Sequence, residues 1–200
     1  QTPDLLLPDG GRYYGPVANG MAVGAGRIEW STTRWYVGQM HQGRMHGQGR
    51  LDSAGGYMAG EFMDGMLNGQ GTQHSVTGMR YTGQFKDGSF EGEGELSDTR
   101  GMRFVGQFQG GTFTGQGSKH FPDGQVMTGQ FVDYQPEGVM QTRHPNGMQL
   151  SSAMSGDRPT GKGELRLPNG QRIRGEIGGA MDEGEIDYPN GDRYTGELLV

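Results

Sequence analysis

The chain has 200 residues, 41 of them glycine, no cysteine and a formal net charge of −6. The absence of cysteine excludes disulfides and thiolate metal sites, and the 31% hydrophobic content leaves little material for a conventional globular core. An acidic balance without a basic cluster argues against nucleic acid as the main partner, and no apolar run approaches the roughly 20 residues of a membrane helix.

A repeat organises the chain from its beginning to its end. Large residues restart the same 23-residue frame at positions 13, 36, 58, 81, 104, 127, 150 and 173. A half unit at 1–12 precedes these repeats, and a partial repeat at 194–200 follows them. We therefore predict one repeat array over residues 1–200.

Each repeat is predicted to form one β-hairpin. Residues 81–85 read YTGQF and residues 92–96 read GEGEL, so large or glycine residues alternate with polar ones as in β-strands. Between them, Asp87-Gly88 is a strong hairpin-turn signal. We expect Phe85 to lie opposite Gly92 and Gly83 opposite Gly94, so that rings cover glycines.

A second type of turn joins the hairpins. Proline presets the backbone for the first central position, and Asp or Asn followed by Gly completes the turn. Such turns occupy equivalent places at 8–10, 122–124, 145–147, 168–170 and 189–191. Two alternating turns per repeat predict an all-β fold, an elongated single-layer twisted antiparallel meander of about eight hairpins.

The pattern Y-x-G-x-F-x-x-G-x-x-x-G-x-G resembles the MORN repeat (membrane occupation and recognition nexus) over almost the whole chain. It departs from that family at the fifth position, where the family usually has Trp and this chain has Phe, Met or aliphatic residues. The resemblance implies a non-catalytic interaction platform. Such platforms link membranes, cytoskeleton or enzymes and often dimerise.

Motifs for chemistry are weak. The glycine runs lack the spacing of phosphate-binding loops, and the five histidines show no metal-ligand spacing. Glu91, Glu93 and Glu95 alternate along one strand, but equivalent positions elsewhere hold Gln or Lys, as on a solvated face. We therefore predict no enzyme activity, no metal and no cofactor.

An aromatic stripe is the candidate partner-binding groove. It comprises Tyr36, Phe62, Tyr81, Phe85, Phe104, Phe108 and Phe131. Either these rings only form the core of the repeats, or part of the stripe lines a groove for a protein or peptide partner. A module that binds polysaccharide or the cell envelope, with a glycan or lipid ligand, is the alternative, as is an accessory region of a larger protein.

The ends of the chain suggest further hypotheses. Leu198, Leu199 and Val200 would form an apolar edge that could pair with another chain, for example in a homodimer. Because the chain begins at Gln1 and lacks cysteine, we favour a bacterial envelope protein after signal cleavage, periplasmic or extracellular. A cytoplasmic, membrane-associated location is the alternative. Whether the irregular repeats at 127 and 150 mark a bend, a contact site or drift stays open.

Overall fold

The computed structural model describes residues 2–177 and 183–197. Contacts divide the chain into two compact units: the first unit is Gln1–Thr99 with Phe108–Gly111, and the second unit is Arg100–Gln107 with Thr112–Val200. Neither contains a helix among its described residues. The predicted all-β class, a meander of antiparallel hairpins, is confirmed.

The strands of the first unit follow the predicted repeats. They are β1 (Leu5–Leu6), β2 (Arg12–Tyr14), β3 (Val17–Ala18), β4 (Met21–Ala22), β5 (Gly24–Glu29), β6 (Trp35–His41), β7 (Arg44–Ser53), β8 (Gly56–Met63), β9 (Met66–Ser75), β10 (Arg80–Lys86) and β11 (Ser89–Ser97). From β5 to β11, each strand pairs antiparallel with the next one in the chain.

The second unit has the same organisation. Its strands are β12 (Arg103–Gln109, whose last two residues belong to the first unit), β13 (Thr112–His120), β14 (Val126–Val132), β15 (Gln135–Arg143), β16 (Gln149–Ser155), β17 (Arg158–Arg166), β18 (Arg172–Glu176), β19 (Gly184–Asp187) and β20 (Arg193–Gly196). From β13 to β20, consecutive strands again pair antiparallel.

The predicted hairpin register holds at the base of the hairpin and fails near its tip. Gly83 pairs with Gly94 as expected, but Phe85 pairs with Phe90 and not with Gly92. A β-bulge between the two pairs leaves extra residues on β11. Gly92 stands in this bulge with a φ of +62°, a left-handed conformation that glycine adopts readily.

The bulge between β10 and β11 bends this hairpin. Four positions along an extended strand span about 13 Å, yet the rings of Tyr81 and Phe85 lie only 5.1 Å apart. Phe90, the strand partner of Phe85, stacks on Tyr81 at 3.8 Å. The tip of the hairpin therefore folds towards its base, and the aromatic rings fill the angle between them.

Both predicted turn types are confirmed. At the hairpin tip, Asp87 has a φ of +48° and Gly88 one of +81°, which suits a two-residue hairpin turn. The amide of Gly88 donates to the carbonyl of Leu67, so adjacent tips are also joined to each other. In the joint between repeats, the amide of Gly124 donates to the carbonyl of Phe121, which closes the Pro-Asp-Gly turn.

The first tyrosine of a repeat anchors the core. Tyr36 is fully buried, and its hydroxyl donates to the carbonyl of Gln39 at 2.9 Å. A Cβ atom placed on Gly38 or Gly49 would meet the Tyr36 ring within 2.6 Å. The glycines therefore provide the space in which the ring lies, as the sequence predicted.

The irregular repeat at 127 keeps this packing although methionines replace both the tyrosine and the glycine. Met127 replaces the anchoring tyrosine, and Met140 replaces the glycine that the ring would cover. Both methionines are buried, and the sulfur of Met140 lies where a Cβ on Gly129 would be crowded. Tyr134, which replaces a tip glycine, packs against Phe104 at 5.2 Å. These substitutions compensate one another within the core.

Burial of the tyrosines predicts sensitivity to alkaline pH. Desolvation raises the pKa of Tyr36 from 10.0 to about 12, because the phenolate is disfavoured where water is excluded. The stability that Tyr36 contributes as a protonated, buried phenol is therefore complete below pH 10 and is lost as the pH rises from 10 to 12. We expect the urea midpoint to fall over this window, and Tyr36→Phe to make the fall shallower. A midpoint that is flat from pH 10 to 12 in the wild type would contradict this.

Candidate protein-binding face

The predicted groove residues lie mainly in the core. At most 3% of the surface of each of the following is exposed: Tyr36, Phe62, Tyr81, Phe85, Phe108 and Phe131. Phe104 alone among the predicted seven is half-buried. Edge-to-face contacts hold the rings together, for example Tyr81 with Phe108 at 4.9 Å. A role of these residues in partner binding stays a prediction. The six buried rings present almost no surface to a partner.

The predicted pairing edge, Leu198, Leu199 and Val200, lies outside the described residues. The alternating glutamates of β11 lie within them. Glu93 is exposed, whereas a carboxylate oxygen of Glu91 accepts the amide of Gly110 and joins two hairpin tips. The described residues hold no group of three or more His, Asp or Glu side chains arranged for a metal ion. Within the same residues, no helix has the length and hydropathy to cross a membrane.

The face opposite the core carries a continuous outer row in the first unit. Its members are strand partners on neighbouring strands: Arg12, Glu29, Trp35, Asp52, Tyr57, His74, Arg80 and Ser97. Strand alternation places them on this face because most of them neighbour a core residue, as Trp35 neighbours Tyr36, and the others are their strand partners. Adjacent members are separated by one strand spacing of about 4.8 Å.

Aromatic and guanidinium groups stack along this row. Tyr57 and His74 stack at 5.4 Å with their planes 9° apart. The guanidinium of Arg50, which lies beside the row, stands 4.0 Å from the Tyr57 ring and binds Asp52 with two hydrogen bonds. The bond to Asp52 raises the pKa of Arg50, so the cation persists at any physiological pH. The stack holds Tyr57 in one orientation.

Trp35, Tyr57 and Arg80 are among the side chains of the outer row that carry hydrogen-bond donors without acceptors. Trp35, Tyr57 and Arg80 make no side-chain hydrogen bond or ion pair within the described part of the chain. Trp35 and Tyr57 are half-buried and Arg80 is exposed. They lie on β6, β8 and β10, each immediately before the first residue of a repeat, so two strand spacings separate each from the next.

A shallow cleft of about 140 Å³ lies beside Tyr57 and His74. Leu51 and Met58 contribute apolar atoms to its lining. Two features of the sequence account for the cleft: Met58 replaces the anchoring tyrosine of its repeat, and the preceding repeat is one residue shorter than its neighbours. Its turn, Ser53-Ala54-Gly55-Gly56, contains no proline, like the joints at 31–33, 76–78 and 99–101.

The sequence did not reveal this row as a site. The alternation of residues that predicted the aromatic stripe also predicts this row, because the residue before each anchoring tyrosine must face the other way. Trp35 and Tyr57 are large aromatic residues at just that position. An aromatic residue where other repeats have Arg, Val or Gln is the signal that could have identified it.

An open antiparallel sheet of repeated, bent hairpins is the fold of a β-hairpin repeat protein. A profile of the MORN repeat matches residues 36–56, 59–80, 81–103, 104–126 and 153–172. These segments cover more than half of the chain, which therefore belongs to the MORN repeat family, as predicted. No curated protein sequence matches the chain significantly.

Two solved structures are similar in fold. The TCP10 domain of CPAP from Danio rerio is 12% identical, with a TM-score of 0.58, over 98% of this chain and 96% of that chain. The SAS-4 (dCPAP) TCP domain of Drosophila melanogaster, solved in complex with a proline rich motif of Ana2 (dSTIL), is 13% identical. Its TM-score is 0.47, over 99% of this chain and 97% of that chain. At this identity the first structure shows the fold alone, and the second, with its lower score, supports no functional conclusion.

Proposed function

We propose that this chain is a non-catalytic protein-binding module that presents the outer face of its first unit to a protein partner. The observation that carries the proposal is the outer row, in which Trp35, Tyr57 and Arg80 offer partner-free donors on an open sheet face. Trp, Tyr and Arg are the residue types that contribute most to binding energy at protein interfaces.

The fixed orientation of Tyr57 also supports the proposal. Arg50 and His74 stack against Tyr57, so little side-chain entropy remains to be lost when a partner binds. The buried rings of the core, by contrast, hold each hairpin together from within. One face of the first unit thus serves stability and the other is free for recognition.

The double substitution Trp35→Ala with Tyr57→Ala should reduce partner affinity by at least about tenfold. The stability change should stay near 1 kcal/mol, since neither residue belongs to the core. Partners would be identified by photo-crosslinking from Val37, an exposed residue of β6, in cells that make the protein. The purified pair would then be measured by calorimetry.

Val76→Ala is the matched control, because Val76 is 71% exposed but lies in a turn between repeats. It should leave both affinity and stability unchanged. Unchanged partner affinity in the double variant would show that the outer row is not the binding face. Membrane association, an envelope location and a homodimer stay predictions of the sequence.

A further inference from the structure

We infer that the outer row binds a proline-containing segment of a partner in the polyproline II conformation. This inference rests on the proposed function and specifies the chemistry of the partner. The segment would run across the strands of the first unit, with backbone carbonyls on Trp35 and Tyr57 and an acidic side chain on Arg80.

The spacing of the donors carries the argument. Trp35, Tyr57 and Arg80 follow one another at intervals of two strands, which is about 9.6 Å. A polyproline II helix has three residues per turn and rises about 3.1 Å per residue, so equivalent groups recur every 9.3 Å or so. Carbonyls three residues apart therefore meet successive donors of the row.

Hydrogen-bonding capacity selects the same ligand. At these three positions the row offers an indole N–H, a phenol O–H and a guanidinium, groups that donate to a partner. The carbonyls of a polyproline II segment have no internal hydrogen bonds, and proline has no backbone N–H to leave unpaired. The segment thus brings acceptors to a row of donors, and its preset backbone loses little entropy on binding.

Charge sets one end of the segment. Arg80 has no ion-pair partner in the described part of the first unit, in contrast to Arg50, which is held by Asp52. An acidic residue six positions after the first contact would therefore face an unpaired guanidinium.

The test measures fluorescence anisotropy of the labelled peptide GPPAPPAEG with the full chain. We expect saturable binding, at least about tenfold tighter than that of GGGAGGAEG, which keeps the charge but loses the preset backbone. Trp35→Phe and Tyr57→Phe keep the rings and remove only the donors. Each should weaken binding by roughly fivefold without changing the urea midpoint.

Arg80→Glu provides the charge test. It should weaken binding of GPPAPPAEG and make GPPAPPAKG the preferred peptide. Equal binding of the glycine and proline peptides, no effect of the donor variants, or no charge reversal would each overturn the inference. If no peptide binds but a crosslinked partner still depends on Trp35 and Tyr57, the polyproline inference fails and the proposed function stands. If no partner depends on these residues, both fail.

Discussion

Gly94→Ala is expected to destabilise the protein by roughly 3 kcal/mol, because a buried ring occupies the space into which the new methyl group would point. A Cβ on Gly94 would meet the Tyr81 hydroxyl and ring carbons within 2.6 Å. Tyr81 is 1% exposed and stacks on Phe90, so the ring cannot move aside. Urea unfolding followed by far-ultraviolet circular dichroism would measure the loss.

Gly55→Ala is the control for this substitution. Its Cβ would meet no atom closer than Ser53 Oγ at 3.8 Å, and its φ is not in the left-handed region. Its stability should change by less than about 0.5 kcal/mol. If Gly94→Ala were as mild as Gly55→Ala, the glycines would not be spaces for rings, and the explanation of the repeat would be wrong.

Asp157→Ala should cost about 2 to 3 kcal/mol, because it leaves a buried lysine without its counter-charge. Both carboxylate oxygens of Asp157 lie 2.6 Å from Lys119 Nζ, and the lysine side chain is only 10% exposed. The rings of Phe104 and Phe121 surround the ammonium group. The cost falls below that of a fully buried pair because Asp157 is half exposed.

Lys119→Leu is the informative companion variant. Lys119 occupies the position at which the preceding repeat has Leu96, so leucine fits the core at this point. We expect Lys119→Leu to be neutral or stabilising, and Asp157→Ala to become nearly neutral in its background. An Asp157→Ala loss that persists in the leucine variant would show that the ion pair is not its cause.

The register shows where sequence reasoning reached its limit. The pairing of Gly83 with Gly94 followed from simple alternation, and the structure confirms it. Phe85 was expected opposite Gly92 because alternation assumes a regular ladder. Gly92 instead takes a left-handed conformation, and two residues are added to one side of the hairpin. Nothing in the spacing of the letters distinguishes a bulge glycine from one that lies under a ring.

The bend at the bulge explains why the aromatic stripe is buried. In a flat sheet, Tyr81 and Phe85 would be separate and open to a partner. In the bent hairpin they lie 5.1 Å apart, and both are buried. The predicted groove is therefore mainly a core, and the exposed rings are those that alternate with it, such as Trp35 and Tyr57.

The sequence alone determined the family, the repeat frame, the all-β class and both turn types, because each depends on residues close together in the chain. Turn dipeptides and the period-two alternation are local signals. The tertiary structure decided which face is buried and which side chains meet across strands, such as Lys119 with Asp157 or Tyr57 with His74. These contacts depend on how far each bulge bends its hairpin, and that angle is a property of packing between repeats.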